Sequence, residues 1–242
     1  MSIKHFITDY WAARSESFAK AKQEELDSDL GTRWSEELQK HLKNGQNLNV
    51  LDVGCGPGFF SHLLADLGHR VTGIDLTQEM IDQAKDNVGQ HYANTHFQTM
   101  DAENLIFEDD SFDIVVTRNL TWTLPDPERA YQEWFRVLKQ RGRLINVDAD
   151  YGRVDHVALE RSGQEDVHAI DESFLSRNDA IKKQLNISRE TRPVWDLDVL
   201  VATGFVDVTC DMEINQKIYQ MEDLYYNQVP PFLLTGIKPE RF

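Results

Sequence analysis

Cysteine is nearly absent. Cys55 and Cys210 are the only two in 242 residues, too few for a disulfide framework or for the paired Cys and His spacing of a zinc site. No run of about 18 apolar residues occurs, so no membrane-spanning helix is expected. The N-terminal MSIKHFITDYW has no basic-then-apolar layout of a secretory signal, and the chain is expected to be cytoplasmic. Positive charge is scarce as well: 25 Lys and Arg stand against 41 Asp and Glu, a formal net charge of −16. Duplex nucleic acid is a dense anion that normally needs a basic stripe, so no nucleic-acid partner is expected. The one basic cluster, RVLKQRGR at 136–143, reads as the end of a helix and the turn after it. Also missing are internal repeats, a P-loop, a Ser-His-Asp arrangement and any metal-ligand cluster. A small-molecule partner fits this composition, and no catalytic residue is declared by motif.

What is present is regular. From about residue 48 to 148, short apolar runs alternate with longer amphipathic stretches, the pattern of βαβ units and a parallel sheet. Strands are predicted at Asn49–Val53, Arg70–Asp75, 96–99, 112–117 and 143–148, with helices at 59–67, 78–88 and 127–138. The last helix opens Asp126-Pro127-Glu128: a capping carboxylate, proline in the first turn, and an acid at the positive end of the dipole. Two helical patterns, 9–27 and 32–43, precede the first strand within a cap spanning 1–44. A polar stretch, 151–190, follows the fifth strand and reads as a helical lid. A helix at 195–203 and strands at 205–212 and Pro231–Ile237 close the chain. The expectation is one domain over 1–242, α/β and Rossmann-like. Its doubly wound sheet would have seven strands, mostly parallel with one antiparallel member, plus N-terminal helices and the lid insertion.

The most informative stretch is VLDVGCGPGFF at 50–60. Gly54, Gly56 and Gly58 remove Cβ bulk around Cys55, so a ligand can approach the main chain where a helix N-terminus begins. Asp75 closes the second strand about 20 residues on, where a carboxylate can accept from both hydroxyls of a ribose. A dinucleotide fingerprint would require glycine at position 59, where this chain has Phe59. Asp52, inside the strand, is a buried carboxylate in need of partners; it can hold the turn's amides or receive an ammonium group.

DVGCGPG at 52–58, followed by GIDLTQEMIDQAK at 73–85, resembles the first two motifs of the class I S-adenosylmethionine (SAM)-dependent methyltransferases, especially the type 11 group. The resemblance covers about residues 10–148 and speaks to the cofactor far more than to the substrate. It implies that the 54–58 turn lies under the methionine part of SAM and that Asp75 holds the ribose. Leu76 and Met80 would cover the adenine. Asp101, with the Ala102 N–H and neighbouring Glu103, would meet the adenine edge. Arg118 and Asn119 stand where the family contacts the cofactor ammonium and begins the substrate pocket. Tyr10, Trp11 and Arg14 fall on a helix that relatives fold over the cofactor, Tyr10 and Arg14 toward its carboxylate; Trp11 is equally readable as a core aromatic on a face shared with Phe18. Trp122, Asp148, Tyr151 and His156 are acceptor-pocket candidates, and Trp34, Trp134 and Trp195 read as core. No His stands near Asn119, and the Asn-Pro-Pro-Tyr type sequence of amide and adenine N-methyltransferases is missing. Asp148, Asp150, Tyr151, His156 and His168 are the available bases, none of them preferred. The implied activity is methyl transfer from SAM to a small molecule, releasing S-adenosylhomocysteine, by a monomer or homodimer. The alternatives are a protein or RNA methyltransferase, and a SAM-binding regulatory module without turnover.

Overall fold

The structure, a computed structural model, describes residues 2–42, 47–153, 172–220 and 229–241. Seven described strands form one sheet: β1 Asn49–Val53, β2 Arg70–Asp75, β3 Thr95–Thr99, β4 Phe112–Arg118, β5 Leu138–Ala149, β6 Val206–Asp211 and β7 Pro231–Ile237. Their order is β3-β2-β1-β4-β5-β7-β6. β1 pairs in parallel with β2 and β4, while β7 runs antiparallel between β5 and β6. The strand order therefore reverses between β1 and β4, and a ligand crevice belongs at the carboxyl ends there.

The central strands bury both faces, as parallel strands between helices must. On one face Leu51 and Val53 of β1 join Tyr131, Trp134 and Leu200. On the other, Val50 packs with Trp34, Phe60, Leu64 and Ile145. Trp34 and Trp134 are fully buried, as the sequence predicts, and Trp195 packs partly buried against the first cluster. Each fully buried aliphatic or aromatic side chain contributes about 1.5–3 kcal/mol of transfer free energy.

The helices α1 Ile3–Asp27, α2 Asp29–His41, α3 Phe59–Asp66, α4 Gln78–Ala84 and α5 Pro127–Val137 surround the first half of the sheet. α1 starts earlier than its apolar pattern because the Ser2 hydroxyl accepts from the His5 N–H and caps it. The predicted 78–88 helix divides into α4 and a wider π-turn at Lys85–Gly89. β5 begins at Leu138, directly after α5, and the Gln140-Arg141-Gly142 segment read as a turn lies inside it. The register jumps from Phe112 opposite Leu138 to Ile114 opposite Arg143, so a bulge absorbs the extra residues without ending the strand. α6 Glu172–Lys182, α7 Val194–Thr203 and α8 Ile214–Ile218 complete the described helices. Of the expected lid, 154–171 lies outside the described residues.

Candidate functional site

β1 delivers the glycine turn to the crevice. Gly54, Gly56 and Gly58 adopt φ of 65°, 53° and 95°, the left-handed region where other residues are strained. They serve different needs. A Cβ on Gly54 would stand 2.7 Å from Leu120, and one on Gly58 2.6 Å from Val88. A Cβ on Gly56 would meet only the Phe18 ring edge, at 3.6 Å. Gly56 is thus the open rung of the cradle. Cys55 points the other way, its Sγ buried with Ile81, Ala84, Val88 and Phe97, and burial raises its thiol pKa well above the ordinary value. Its contribution is backbone, the N–H donating to the Ile74 carbonyl at 2.9 Å.

Two carboxylates lie under this turn. Asp75 Oδ2 accepts from the Gly56 N–H at 3.1 Å and Oδ1 from the Thr77 N–H at 2.9 Å. Burial raises its pKa, and those N–H groups hold the rise back. Asp52 accepts from the Ser61 hydroxyl at 2.6 Å. Burial, restrained by Ser61 and reinforced by the Asp75 charge, pushes Asp52 up to about 7.

At the far end of the crevice, Leu76 is half-buried and Met80 buried. Asp101 Oδ1 accepts from the Glu103 N–H at 3.0 Å, and Oδ2 lies 2.5 Å from Lys4 Nζ. Glu103 is buried, accepting from the Asp126 N–H at 2.7 Å and facing Lys4 at 2.5 Å. Its carboxylate therefore clamps the loop before α5 to the start of α1. Ala102 is buried, its carbonyl accepting from Trp134 Nε1 at 3.1 Å.

α1 lies over the turn. Trp11 and Phe18 make an edge contact at 5.3 Å on the side facing Gly56. Tyr10 looks elsewhere, packed with Ile7, Ile181, Leu185 and Phe174. Arg14 is buried, with its carbon Cζ 5.8 Å from the Phe174 ring and its Nε unpartnered. Below it, Arg118 at the end of β4 donates to Glu25 at 2.5 Å and to the Tyr219 hydroxyl at 2.8 Å. Its guanidinium sits over Phe59 and Trp34, 4.6 and 4.8 Å from their centroids, and its Nη1 is unpartnered. Lys22 joins Glu25 at 2.6 Å. Burial alone would raise Glu25, yet Arg118 and Lys22 together draw it down to about 2. Burial lowers the Lys22 pKa.

The segment after β4 lines another side of the crevice. Asn119 takes φ of 56°. Its carbonyl accepts from Trp122 Nε1 at 2.9 Å, and its side-chain oxygen accepts from the Tyr151 hydroxyl at 3.3 Å. The Trp122 and Tyr151 rings lie 5.3 Å apart. Asp148 is fully buried, accepting from the N–H groups of Trp122 and Ala149 and from Arg192 Nη1, each at 2.9 Å. It positions Trp122 instead of standing open to a ligand. Burial raises the Asp150 pKa, and its Oδ1 is unpartnered. His156 and His168 lie outside the described residues. Among the described residues no group of three or more His, Cys, Asp and Glu could hold a metal ion.

Sequence reading missed Lys4, Glu25 and Arg192. Lys4 lies on no recognisable motif, and its two carboxylates are distant in the chain. Arg192 bridges Asp148 to Asp196, whose oxygens it meets at 2.7 and 2.9 Å, with Tyr131 donating to the same carboxylate at 2.7 Å. A lone Arg before a proline carries no signal for such a hub.

Residues 51–146, from β1 through most of β5, match a family model described as a methyltransferase domain. The ubiquinone biosynthesis O-methyltransferase of Coxiella burnetii is 38% identical over 97 residues, covering 40% of this chain and 42% of that protein. The uncharacterised methyltransferase YcgJ of Bacillus subtilis is 32% identical over 155 residues, covering 62% of this chain and 61% of that one. The match thus spans less than two thirds of either relative's length. A Haemonchus contortus phosphoethanolamine N-methyltransferase 2, solved with phosphomonomethylethanolamine and S-adenosylhomocysteine, superposes with a TM-score of 0.67 at 17% identity, over 99% of this chain and 61% of that one. That likeness concerns the fold. A glycine turn gripped by the acid of the next strand, at the reversal point of a 3-2-1-4-5-7-6 sheet, agrees with the methyltransferase domain that residues 51–146 match.

Proposed function

We propose that this chain transfers a methyl group from SAM to a small-molecule acceptor and releases S-adenosylhomocysteine. The observation that carries the reading is Gly56: positive φ, no contact for its Cβ closer than the Phe18 ring edge at 3.6 Å, and an N–H already held by Asp75. The residues present suit the cofactor. Asp75 retains lone pairs for the ribose hydroxyls, with Leu76, Met80 and Asp101 toward the adenine end. At the methionine end, Arg14, Lys22 and Arg118 oppose the single carboxylate Glu25, and two buried guanidinium N–H groups, Arg14 Nε and Arg118 Nη1, lack acceptors. Buried donors without partners cost about 1–3 kcal/mol each, and a ligand carboxylate removes that cost. A guanidinium repels an ammonium, so Asp52 suits the cofactor's amino group better than Arg118 does.

When bound, SAM supplies an already activated methyl group. The protein's task is then to align the acceptor and exclude water, which can contribute about 7–11 kcal/mol. Trp122 and Tyr151 supply an aromatic wall with a polar rim for this. Asp148, committed to Arg192 and two backbone N–H groups, is not assigned a proton-transfer role. The relatives' names span O- and N-methylation of unlike acceptors. We read the chain as one domain, cytoplasmic, a monomer or homodimer; no described helix is long and apolar enough to cross a membrane. The test is incubation with SAM and a panel of acceptors, read as S-adenosylhomocysteine release. Turnover with at least one acceptor is expected; tight SAM binding with no product across a metabolite extract favours a regulatory module instead.

A further inference from the structure

Beyond the cradle, a second binding site lies past the end of β5. There the turn Tyr151–Arg153 packs against the turn Asn186–Arg189 so closely that a Cβ on Gly152 would stand 2.5 Å from Ser188 Cα. Together with α6 they line a half-open cavity of about 380 Å³. Its ionisable lining is Arg153, Lys182, Lys183, Arg189 and Asp179, four cations and one carboxylate in a chain whose formal net charge is −16. Asp179 is already matched, 2.6 Å from Lys182 Nζ. Arg153 donates to the Thr191 hydroxyl at 2.6 Å, and its Nε lies 3.5 Å from Asp150. Lys183 and Arg189 are exposed and have no carboxylate partner among the described residues. The Ser188 hydroxyl oxygen is buried and unpartnered.

Like charges crowded around a cavity repel one another, and an unpartnered buried hydroxyl is unfavourable. Both are relieved by an anion rich in acceptor oxygens. We propose that this cavity holds the phosphate of a phosphorylated acceptor. A phosphomonoester offers about two negative charges and three strong acceptor oxygens, enough to answer Lys183, Arg189 and Ser188 together. The cavity is larger than the phosphate alone and at the scale of small-ligand sites, leaving room for part of the organic body. That body would reach the crevice directly, because Gly152 and Arg153 follow Tyr151, whose ring stands 5.3 Å from Trp122. The assignment of the bound molecule as acceptor rests on the methyl-transfer reading; the phosphate site itself does not.

The test uses the full chain. Inorganic phosphate is titrated at constant ionic strength and followed by phosphorus NMR line width, and S-adenosylhomocysteine binding is measured separately by calorimetry. The wild type should show saturable broadening. The double variant Lys183→Gln, Arg189→Gln, which alters two exposed side chains, should bind phosphate about tenfold or more weaker with unchanged S-adenosylhomocysteine affinity. Glycerol 3-phosphate should bind the wild type at least as tightly as inorganic phosphate. No saturable phosphate binding, or equal binding by wild type and double variant, overturns the site. Exclusion of glycerol 3-phosphate while inorganic phosphate binds overturns the acceptor assignment. Phosphate binding that holds while S-adenosylhomocysteine fails with both proteins upholds the site and removes the methyl-transfer reading alone.

Discussion

Gly56 and Gly58 both sit at positive φ, but a Cβ on Gly56 would make only an ordinary contact with Phe18, at 3.6 Å. Alanine at either position carries the left-handed strain of an L-residue, about 1–2 kcal/mol. At position 58 it also meets Val88 at 2.6 Å, so Gly58→Ala should lose more stability in urea unfolding than Gly56→Ala. Calorimetry should find the reverse order of harm per unit of stability lost: Gly56→Ala folds and loses SAM binding, because the new methyl stands where the ligand approaches. A folded Gly56→Ala that binds SAM like wild type contradicts the cradle. Asp52 gives a second test. Its carboxyl titrates near 7 when folded and near 3.8 when free, so between those values the folded chain holds a proton the unfolded chain has released. Stability from this group is therefore lost as pH rises from about 4 to 7, by at most about 1.4 kcal/mol per pH unit, and is flat above. Asp52→Asn should remove that slope. Equal pH dependence of the two proteins in urea titrations at pH 5 and pH 8 refutes the raised pKa. The glycines and Asp75 were legible because their spacing is local. The environment of Asp52 was legible only as a need for partners, since Ser61 becomes its donor through the packing of α3 on β1.

At the scale of elements, β5 and α7 are joined through one guanidinium. Arg192 meets Asp148 and Asp196, and all three are buried. Removing the shared cation leaves two carboxylates without compensation, a loss on the order of 3–5 kcal/mol. Arg192→Met, which keeps much of the side chain's apolar stem, should show this in chemical unfolding; a change under about 1 kcal/mol contradicts the hub. Element positions were largely readable because apolar alternation and caps are local signals, as Asp126 shows by accepting from the Arg129 N–H at 3.0 Å. The divisions were not. β5 extends back to Leu138 through a bulge, and the 78–88 helix widens at Lys85, because ladder pairing with β4 and packing against β3 override residue preference there. Arg118 shows the same limit within the site. Its position after β4 pointed to the crevice, but its hold on Glu25, from a helix far away in sequence, carried no local signal.

At the scale of the molecule, the sheet class followed from alternating strand and helix patterns, since a parallel sheet needs helical crossovers. The contacts among the turns after β4 and β5 and the turn near residue 188 did not follow, because they join segments distant in the chain. The formal net charge of −16 makes a further prediction: neither duplex DNA nor folded RNA should be retarded at physiological salt, because few phosphates can be neutralised. Stoichiometric retardation of RNA would revive a nucleic-acid acceptor.

The measurement that bears most directly on the whole account is a calorimetric titration of SAM into wild type and Asp75→Ala. The account predicts a single site in the wild type and, in a folded variant, affinity weaker by about 1–3 kcal/mol, the cost of leaving hydroxyl donors unpaired. A wild type that does not bind SAM, or a folded variant that binds it equally well, contradicts it.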